Sequence, residues 1–420
     1  MQLLRNSTRI LCGAFILSLA LSAQTFTTLY SFGSQPYDGN LPGFGVVLGS
    51  QGGELYGVTS VGGRWNLGTV YELLPPSSPG GAWTEMVLHS FNGAQGLDPN
   101  CALAMGPNGS LYGVADSTTG AIAFQLDPPT GTSTDWAYAV IYQFTEADGY
   151  PSGSLVFGSP LGDGQSLYGA TGVNGEAGTV YRLTPPPAPG GAWTQTTLYA
   201  LLGGSRGGGP LGSLAVGNAG TLFGVTSRGG WTGDFCAAGC GTVFSLTPPA
   251  ATGGQWTAGV LHAFNPQVGD GYRPLAGLVI GPGGVLYGTT ADGGAGGVGT
   301  VFSLTPPAAP GAPMTETTLH AFTEFEGDGY LPDRPLVLGP NGVLYGATEY
   351  GGAEGHGTVF ELAPPASPGG IWTETILHSF TGGADGGNPN GLTLGPDGTL
   401  YGTNTEGGAN GGGTVFALTP

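Results

Sequence analysis

Pro335-Leu336-Val337-Leu338-Gly339 and Val343-Leu344-Tyr345-Gly346-Ala347-Thr348 are two short apolar runs joined by Pro340-Asn341-Gly342. Asn and Gly accept positive φ, which a tight turn between antiparallel strands demands. A glycine-rich stretch from Gly351 to Gly357 leads to a third run, Thr358-Val359-Phe360-Glu361-Leu362. A proline- and glycine-bounded loop, Pro364 to Gly370, then opens a fourth run, Trp372 to Phe380. Four short strands punctuated by Gly and Pro describe one blade of a β-propeller.

The same unit recurs along the chain. Leu-Tyr-Gly, or a near match, begins at Leu55, Leu111, Leu167, Leu222, Leu286, Leu344 and Leu400, in steps of 56, 56, 55, 64, 58 and 56 residues. A fixed period of this size marks a repeat array. Gly-Thr-Val-Tyr/Phe marks the third strand at Gly68, Gly178, Gly241, Gly299, Gly357 and Gly413, and is degraded at Gly120 in the second unit. The fourth strand carries Trp83, Trp136, Trp193, Trp256, Met314 or Trp372 at its start, large apolar groups suited to packing between neighbouring blades. No sustained helical periodicity occurs after residue 23.

The last unit stops after its third strand, Gly413 to Pro420, whereas Thr25-Phe26-Thr27-Thr28-Leu29-Tyr30-Ser31-Phe32 matches the fourth strand of every other unit. The amino-terminal strand is therefore expected to complete the last blade, closing the ring and leaving no free sheet edge at the chain ends. The expected fold is an all-β, seven-bladed propeller of four-stranded blades over residues 24–420. Its blades run approximately 33–91, 92–144, 145–201, 202–264, 265–322, 323–380, and 381–420 plus 24–32.

Residues 1–23 read as a secretory signal peptide: Arg5 and Arg9, an apolar run from Ile10 to Leu21, then Ser22 and Ala23. The apolar run is too short to span a membrane. The formal charge is −19, the chain has no lysine, and loss of Arg5 and Arg9 with the signal would take the charge to −21. Such an acidic surface repels phosphate backbones, which disfavours a nucleic-acid partner. In an exported chain, Cys236 and Cys240 in Cys-Ala-Ala-Gly-Cys read as a small-loop disulfide, and Cys101 as a buried thiol.

The unit DG-x-x-P … L-Y-G-x-T … GG … G-x-G-T-V-F-x-L … W-T … L-H-x-F resembles the GloVer tandem repeat of bacterial exported, choice-of-anchor proteins, over essentially the whole mature chain. The resemblance implies an exported repeat protein, secreted or at the cell surface, with no established molecular activity. Members often carry a carboxy-terminal anchoring segment; none is read here. Kelch propellers are a weaker second resemblance, through the glycine doublet after the second strand.

Functional groups are read against the repeat. His89, His262, His320 and His378 share one position with Tyr30, Tyr142 and Tyr199, so they read as packing or hydrogen-bonding residues; catalysis needs an asymmetric constellation. His356 alone stands in a loop. Asp38, Asp98, Asp148, Asp270, Asp328 and Asp385 read as Asx-turn residues between blades. Asp385, Asn388 and Asn390 offer a partial oxygen set for calcium, the one weak cofactor candidate. Gly294–Gly299 and Gly203–Gly207 match a dinucleotide fingerprint and a nucleophile elbow, but both motifs need a following helix.

Departures from the repeat point to a binding face. The fourth-to-first and second-to-third loops of a propeller share one face, and the fourth unit's excess length lies there, around Arg228, Trp231 and Phe235. Arg64, Trp65 and Asn66 occupy the matching loop of the first unit, and Tyr150, Tyr272 and Tyr330 follow Asp-Gly on the same face. With His356 these form the candidate surface for an extracellular protein or glycan. The expected molecule is a monomeric, non-enzymatic binding or scaffold module without a membrane span. The alternatives are calcium-dependent adhesion and a glycan-active enzyme, whose carboxylates would come from Asp116, Glu349, Glu354 and Glu406.

Overall fold

The computed structural model describes residues 24–50, 53–78, 80–131, 133–158, 165–173, 177–188, 190–251, 253–308, 313–325, 327–367 and 369–420. The expected signal peptide lies outside them. Seven antiparallel sheets follow one another around an axis, each in the order first, second, third, fourth strand from the centre outward. In the sixth blade these strands are Val337–Leu338, Leu344–Thr348, Thr358–Ala363 and Thr373–Ser379. In the turn between the first two, Asn341 has φ 58°, the left-handed conformation its short polar side chain tolerates.

The ring closes with the amino-terminal strand. Thr25–Ser31 pairs antiparallel with Thr414–Thr419, with Phe26 opposite Leu418 and Ser31 opposite Thr414. The last sheet therefore combines the first described strand of the chain with its final one.

The core lies between blades. Along each third strand, alternate side chains enter opposite faces of the sheet. Val70 packs with Phe124 and Leu126 of the second blade, while its neighbour Tyr71 packs with Val415 of the seventh. Seven such apolar clusters fill the seven junctions. Both faces of every sheet are thus buried, which explains third strands read as near-continuous apolar runs. The fourth-strand tryptophans contribute across the junctions: Trp136 meets Tyr56, Trp193 meets Tyr112 and Trp372 meets Tyr287, with ring centroids 5.7, 6.0 and 6.2 Å apart.

The glycine of Leu-Tyr-Gly has a steric cause. Gly346 pairs with Phe360 on the third strand, and the Phe360 ring lies over it. A Cβ there would stand 2.4 Å from the end of the ring. The threonine two residues later is buried and bonded to the first threonine of the third strand. Thr348 and Thr358 hydroxyls are 2.9 Å apart, and Thr59–Thr69, Thr226–Thr242 and Thr290–Thr300 repeat the contact at 2.8 Å. A buried hydroxyl left without a partner would cost about 1–3 kcal/mol, so the two threonines are maintained together.

Five of the seven junctions are also stitched by backbone. Leu41, Asp98, Arg273, Leu331 and Asn388 all have left-handed φ, between 44° and 58°. Each precedes a proline and donates its N–H to the preceding blade: to Gly412, Leu67, Cys240, Val298 and His356 respectively, at 2.8–3.0 Å. Non-glycine residues take this conformation at a cost of about 1 kcal/mol each. The inter-blade hydrogen bond and the packing around it compensate.

Candidate functional site

Two features stand on one face of the disc. The fourth-to-first loops and the second-to-third loops lie together there, zipped by short ladders such as Gly39–Asn40 with Val61–Gly62 and Gly329–Tyr330 with Tyr350–Gly351. These loops carry Tyr37, Trp65, Tyr150, Leu202, Phe235, Val268 and Phe325, all exposed. Exposure is largest at Leu202, Phe325, Val268 and Phe235, at 81, 74, 72 and 67 %. On the loops of the opposite face, Ile371 is the one exposed large apolar side chain among the described residues.

The sequence-derived candidates divide within this face. Trp65 is exposed, with the Arg64 guanidinium 5.1 Å from its ring centre. Asn66 is exposed, and its side-chain oxygen accepts the Gly62 N–H of its own loop at 3.1 Å. Tyr150 and Phe235 are free surface, and Arg228 is exposed. Trp231 is instead half-buried and packs with Cys236, Cys240 and Phe264. Cys236 and Cys240 form a disulfide, so Trp231 belongs to the small core of its own loop. Tyr272 packs into the same cluster, and Tyr330 stacks on Tyr350 with centroids 5.6 Å apart. His356 is half-buried, and its carbonyl receives the Asn388 N–H.

The second feature is the axial channel, which opens on this face. It encloses about 300 Å³ and takes lining residues from all seven blades. Glycines line much of it because neighbouring backbones touch: a Cβ on Gly212 would lie 2.4 Å from the Gly277 nitrogen. The mouth carries Asn100, Asp333 and Arg334. Burial pushes the Asp333 carboxyl up to about 6, with Arg334 opposing and Glu349 adding to the rise. Asn100 donates to Asp116 at 3.0 Å, and burial likewise raises Asp116. Of the four carboxylates considered for an enzyme, Asp116 and Glu349 stand at the mouth beside these residues, whereas Glu354, in a loop, and Glu406, at the end of a second strand, are exposed. Asp333 escaped the sequence reading. Its signal was present in Pro332-Asp333-Arg334-Pro335, the one charged pair at a position held elsewhere by small, amide or apolar residues.

The recurrent histidines and aspartates meet at the rim between blades. Asp38, Asp148, Asp270, Asp328 and Asp385 accept backbone N–H groups three to five residues upstream, as Asp270 does from Asn265 at 3.1 Å and Asp328 from Thr323 at 2.9 Å. They tie down the incoming loop, with the bond running backward along the chain where an Asx-turn would run forward. Asp98 is out of register: it is the left-handed residue before proline, and its equivalents are Leu41 and Leu331. Asp385 also takes the His378 side chain at 3.2 Å, while the Asn390 amide is spent on the Pro42 carbonyl and the Thr403 and Thr405 hydroxyls.

The four rim histidines and Tyr30 are each met by the second residue of the next blade's fourth strand. His378 stacks on Phe26 at 3.9 Å and His89 on Tyr138 at 3.8 Å. Burial pushes His89 down to about 4. In the acidic versions, Tyr30 and Asp38 neighbour Glu85, and His320 and Asp328 neighbour Glu374. Burial pushes both glutamates up to about 7, helped by the nearby aspartate. Burial acts to lower His320, but Asp328 and Glu374 on either side leave it raised.

The sequence profile described as the Gloeobacter/Verrucomicrobia repeat matches residues 13–236 and 315–420. The Kelch resemblance finds no support. No curated protein matches. Among solved structures, a protein from Lactobacillus plantarum is similar at 16 % identity and a TM-score of 0.51, over 80 % of this chain and 84 % of its own. A putative 6-phosphogluconolactonase from Bacteroides uniformis is similar at 15 % and 0.49 over the same shares. The PQQ-bound aldose sugar dehydrogenase from Streptomyces coelicolor is similar at 18 % and 0.45, over 78 % and 96 %. At these identities the likeness is one of fold. No helix among the described residues is long and apolar enough to cross a membrane.

Proposed function

The chain belongs to the Gloeobacter/Verrucomicrobia repeat family, and we propose that it is an exported, non-enzymatic binding module that recognises a protein or glycan through its loop face. The observation that carries this reading is the segregation of exposed apolar side chains. Among the described residues, seven stand in the loops of one face, against one on the loops of the other. Exposed aromatics beside polar backbone and a cation suit sugar rings and protein surfaces alike. Trp65 with Arg64, Tyr150 and Phe235 are the anchors. The fourth-blade loop, stapled by its disulfide and filled by Trp231, holds Phe235 out at little ordering cost.

The test is a glycan array paired with cross-linked capture of protein partners, run on wild type and on a Trp65→Ala/Tyr150→Ala variant. A ligand bound by wild type and lost by the variant, at unchanged melting temperature, supports the reading. A ligand retained by the variant, or none in either assay, ends it.

A second reading, a glycan-active enzyme, is favoured by one observation: the buried carboxyl of Asp333 beside Glu349 and Arg334 at the channel mouth. A carboxyl whose proton affinity is raised toward neutrality suits general acid work. Any glycan found on the array would then be turned over, and Asp333→Asn would abolish turnover while leaving binding intact.

A further inference from the structure

Two neighbouring junctions present the same three residue types in different states. Between the fourth and fifth blades, His262 Nε2 lies 3.0 Å from Asp270 Oδ2, a closed hydrogen bond. Glu316 beside them is raised by burial, and Thr318 donates to its carboxylate at 3.3 Å. Between the fifth and sixth blades, His320 Nε2 lies 3.6 Å from both Asp328 Oδ2 and Glu374 Oε2. That is too long for a hydrogen bond, and His320 Nε2 and Glu374 Oε1 are both buried without one. The sequence supplies the reason. The residue two beyond Glu374 is Ile376, where Glu316 has Thr318. Without a hydroxyl to hold it, the Glu374 carboxylate turns toward the histidine.

We propose that His320, Asp328 and Glu374 bind a divalent transition-metal ion of the zinc class at the rim between the fifth and sixth blades. One donor atom from each residue lies within 4.8 Å of the others. Ligands about 2.1 Å from a tetrahedral zinc ion stand roughly 3.4 Å apart, close to the two 3.6 Å separations here. One imidazole with two carboxylates suits zinc or its neighbours in the first transition row. Calcium, which takes six to eight oxygens, does not fit this donor set. The donors are already oriented: Asp328 receives the Thr323 and Gly329 N–H groups at 2.9 and 2.8 Å, and His320 packs edge-on against Phe322 with centroids 4.6 Å apart. Three protein ligands leave a fourth position for water or for a group on a partner. The metal would also join two blades that share no strand hydrogen bonds.

The test is calorimetric titration of the full chain with Zn²⁺ alone and with Ca²⁺ alone. Wild type is expected to bind one equivalent of Zn²⁺, with Ca²⁺ giving no heat. His320→Ala and the isosteric Glu374→Gln should each weaken Zn²⁺ at least about tenfold. Ile376→Thr, which returns a competing hydroxyl to Glu374, should weaken it as well. His262→Ala serves as the internal control and should bind like wild type. Circular dichroism of each metal-free variant reports whether it folds, and Glu374→Gln carries the test should His320→Ala fail to. Absence of Zn²⁺ binding by wild type overturns the proposal, as does binding that survives Glu374→Gln or is lost equally in His262→Ala.

Discussion

On one side of the seventh blade, His378 lies flat on Phe26; on the other, Tyr30 faces Asp38 and Glu85. Both junctions use the same two positions of adjacent fourth strands. Phe26 also meets Phe380 and Phe416, with centroids 5.7 and 5.5 Å apart, so its ring continues the apolar core outward to the rim. Glu85 brings a carboxylate to the same depth, where burial and Asp38 push its carboxyl up to about 7. The backbone accepts either solution. What differs is the larger response: the first junction, although burial lowers its His378, depends mostly on contact area, and the second mostly on pH.

Phe26→Ala should have the largest effect. It removes an aromatic contact to three neighbours from the strand that closes the ring, at a cost of about 3 kcal/mol. Amide protection across Thr414–Thr419 should fall with it, because Thr25–Ser31 is the outer partner of that strand. Denaturant unfolding and hydrogen exchange measure the two effects. A loss under about 1 kcal/mol would mean that strand pairing alone closes the ring, and the contrast between the two junctions would fail.

Glu85→Gln addresses the other junction. The folded state raises the Glu85 carboxyl from 4.5 to about 7, so it binds this proton more tightly than the unfolded chain. The associated stability is fully present below the unfolded value and is lost as pH rises through about 7. Glu374, also raised to about 7, and Asp333, raised to about 6, act with the same sign. His89, lowered to about 4, acts oppositely: its contribution is present above about 6.5 and lost as pH falls through about 4. Wild type should therefore lose stability, and melt lower, between pH 5 and pH 8, by roughly 1–2 kcal/mol for Glu85 after allowance for its partial exposure. Glu85→Gln should remove that share of the decline and melt higher than wild type at pH 8. Parallel melting curves for the two proteins across this range would show that Glu85 is ionised without penalty.

The ring, its closure and its blade punctuation were legible because each repeats. Seven copies of Leu-Tyr-Gly, six of Gly-Thr-Val-aromatic and a fourth strand transposed to the front leave little freedom in the topology. The rim junctions were half legible. His320 and Asp328 follow each other closely along the chain and were read as repeat positions, but Glu374 comes 54 residues after His320. Only the twist that carries the start of one fourth strand to the end of the next brings it there. Asp98 was read three residues out of register because it too stands between a fourth strand and the next blade. Trp231 stood out as an extra tryptophan in a loop, which is how a residue filling that loop's own core also looks in sequence. Asp333 was hidden in what reads as a proline-flanked surface turn, yet its residue lines the channel.

The smallest expected effect lies at the junction between the third and fourth blades, where neither solution is used. The rim residue is Tyr199, the aspartate position holds Arg206, which donates to the Tyr199 hydroxyl at 3.3 Å, and the facing position is Ala258. The missing side chain leaves a cavity of about 340 Å³ lined by Tyr199, Arg206, Phe244 and Trp256 among others. Ala258→Phe would place a ring opposite Tyr199 as Phe26 stands opposite His378. An added aromatic pair of this kind contributes about 0.5–1.5 kcal/mol beyond the area it buries. The variant should melt a few degrees above wild type, by roughly 1–3 °C for a chain of this size. A lower melting temperature would show that the cavity is held open by packing that the new ring disturbs, and that the junctions are less interchangeable than the pair flanking the seventh blade suggests.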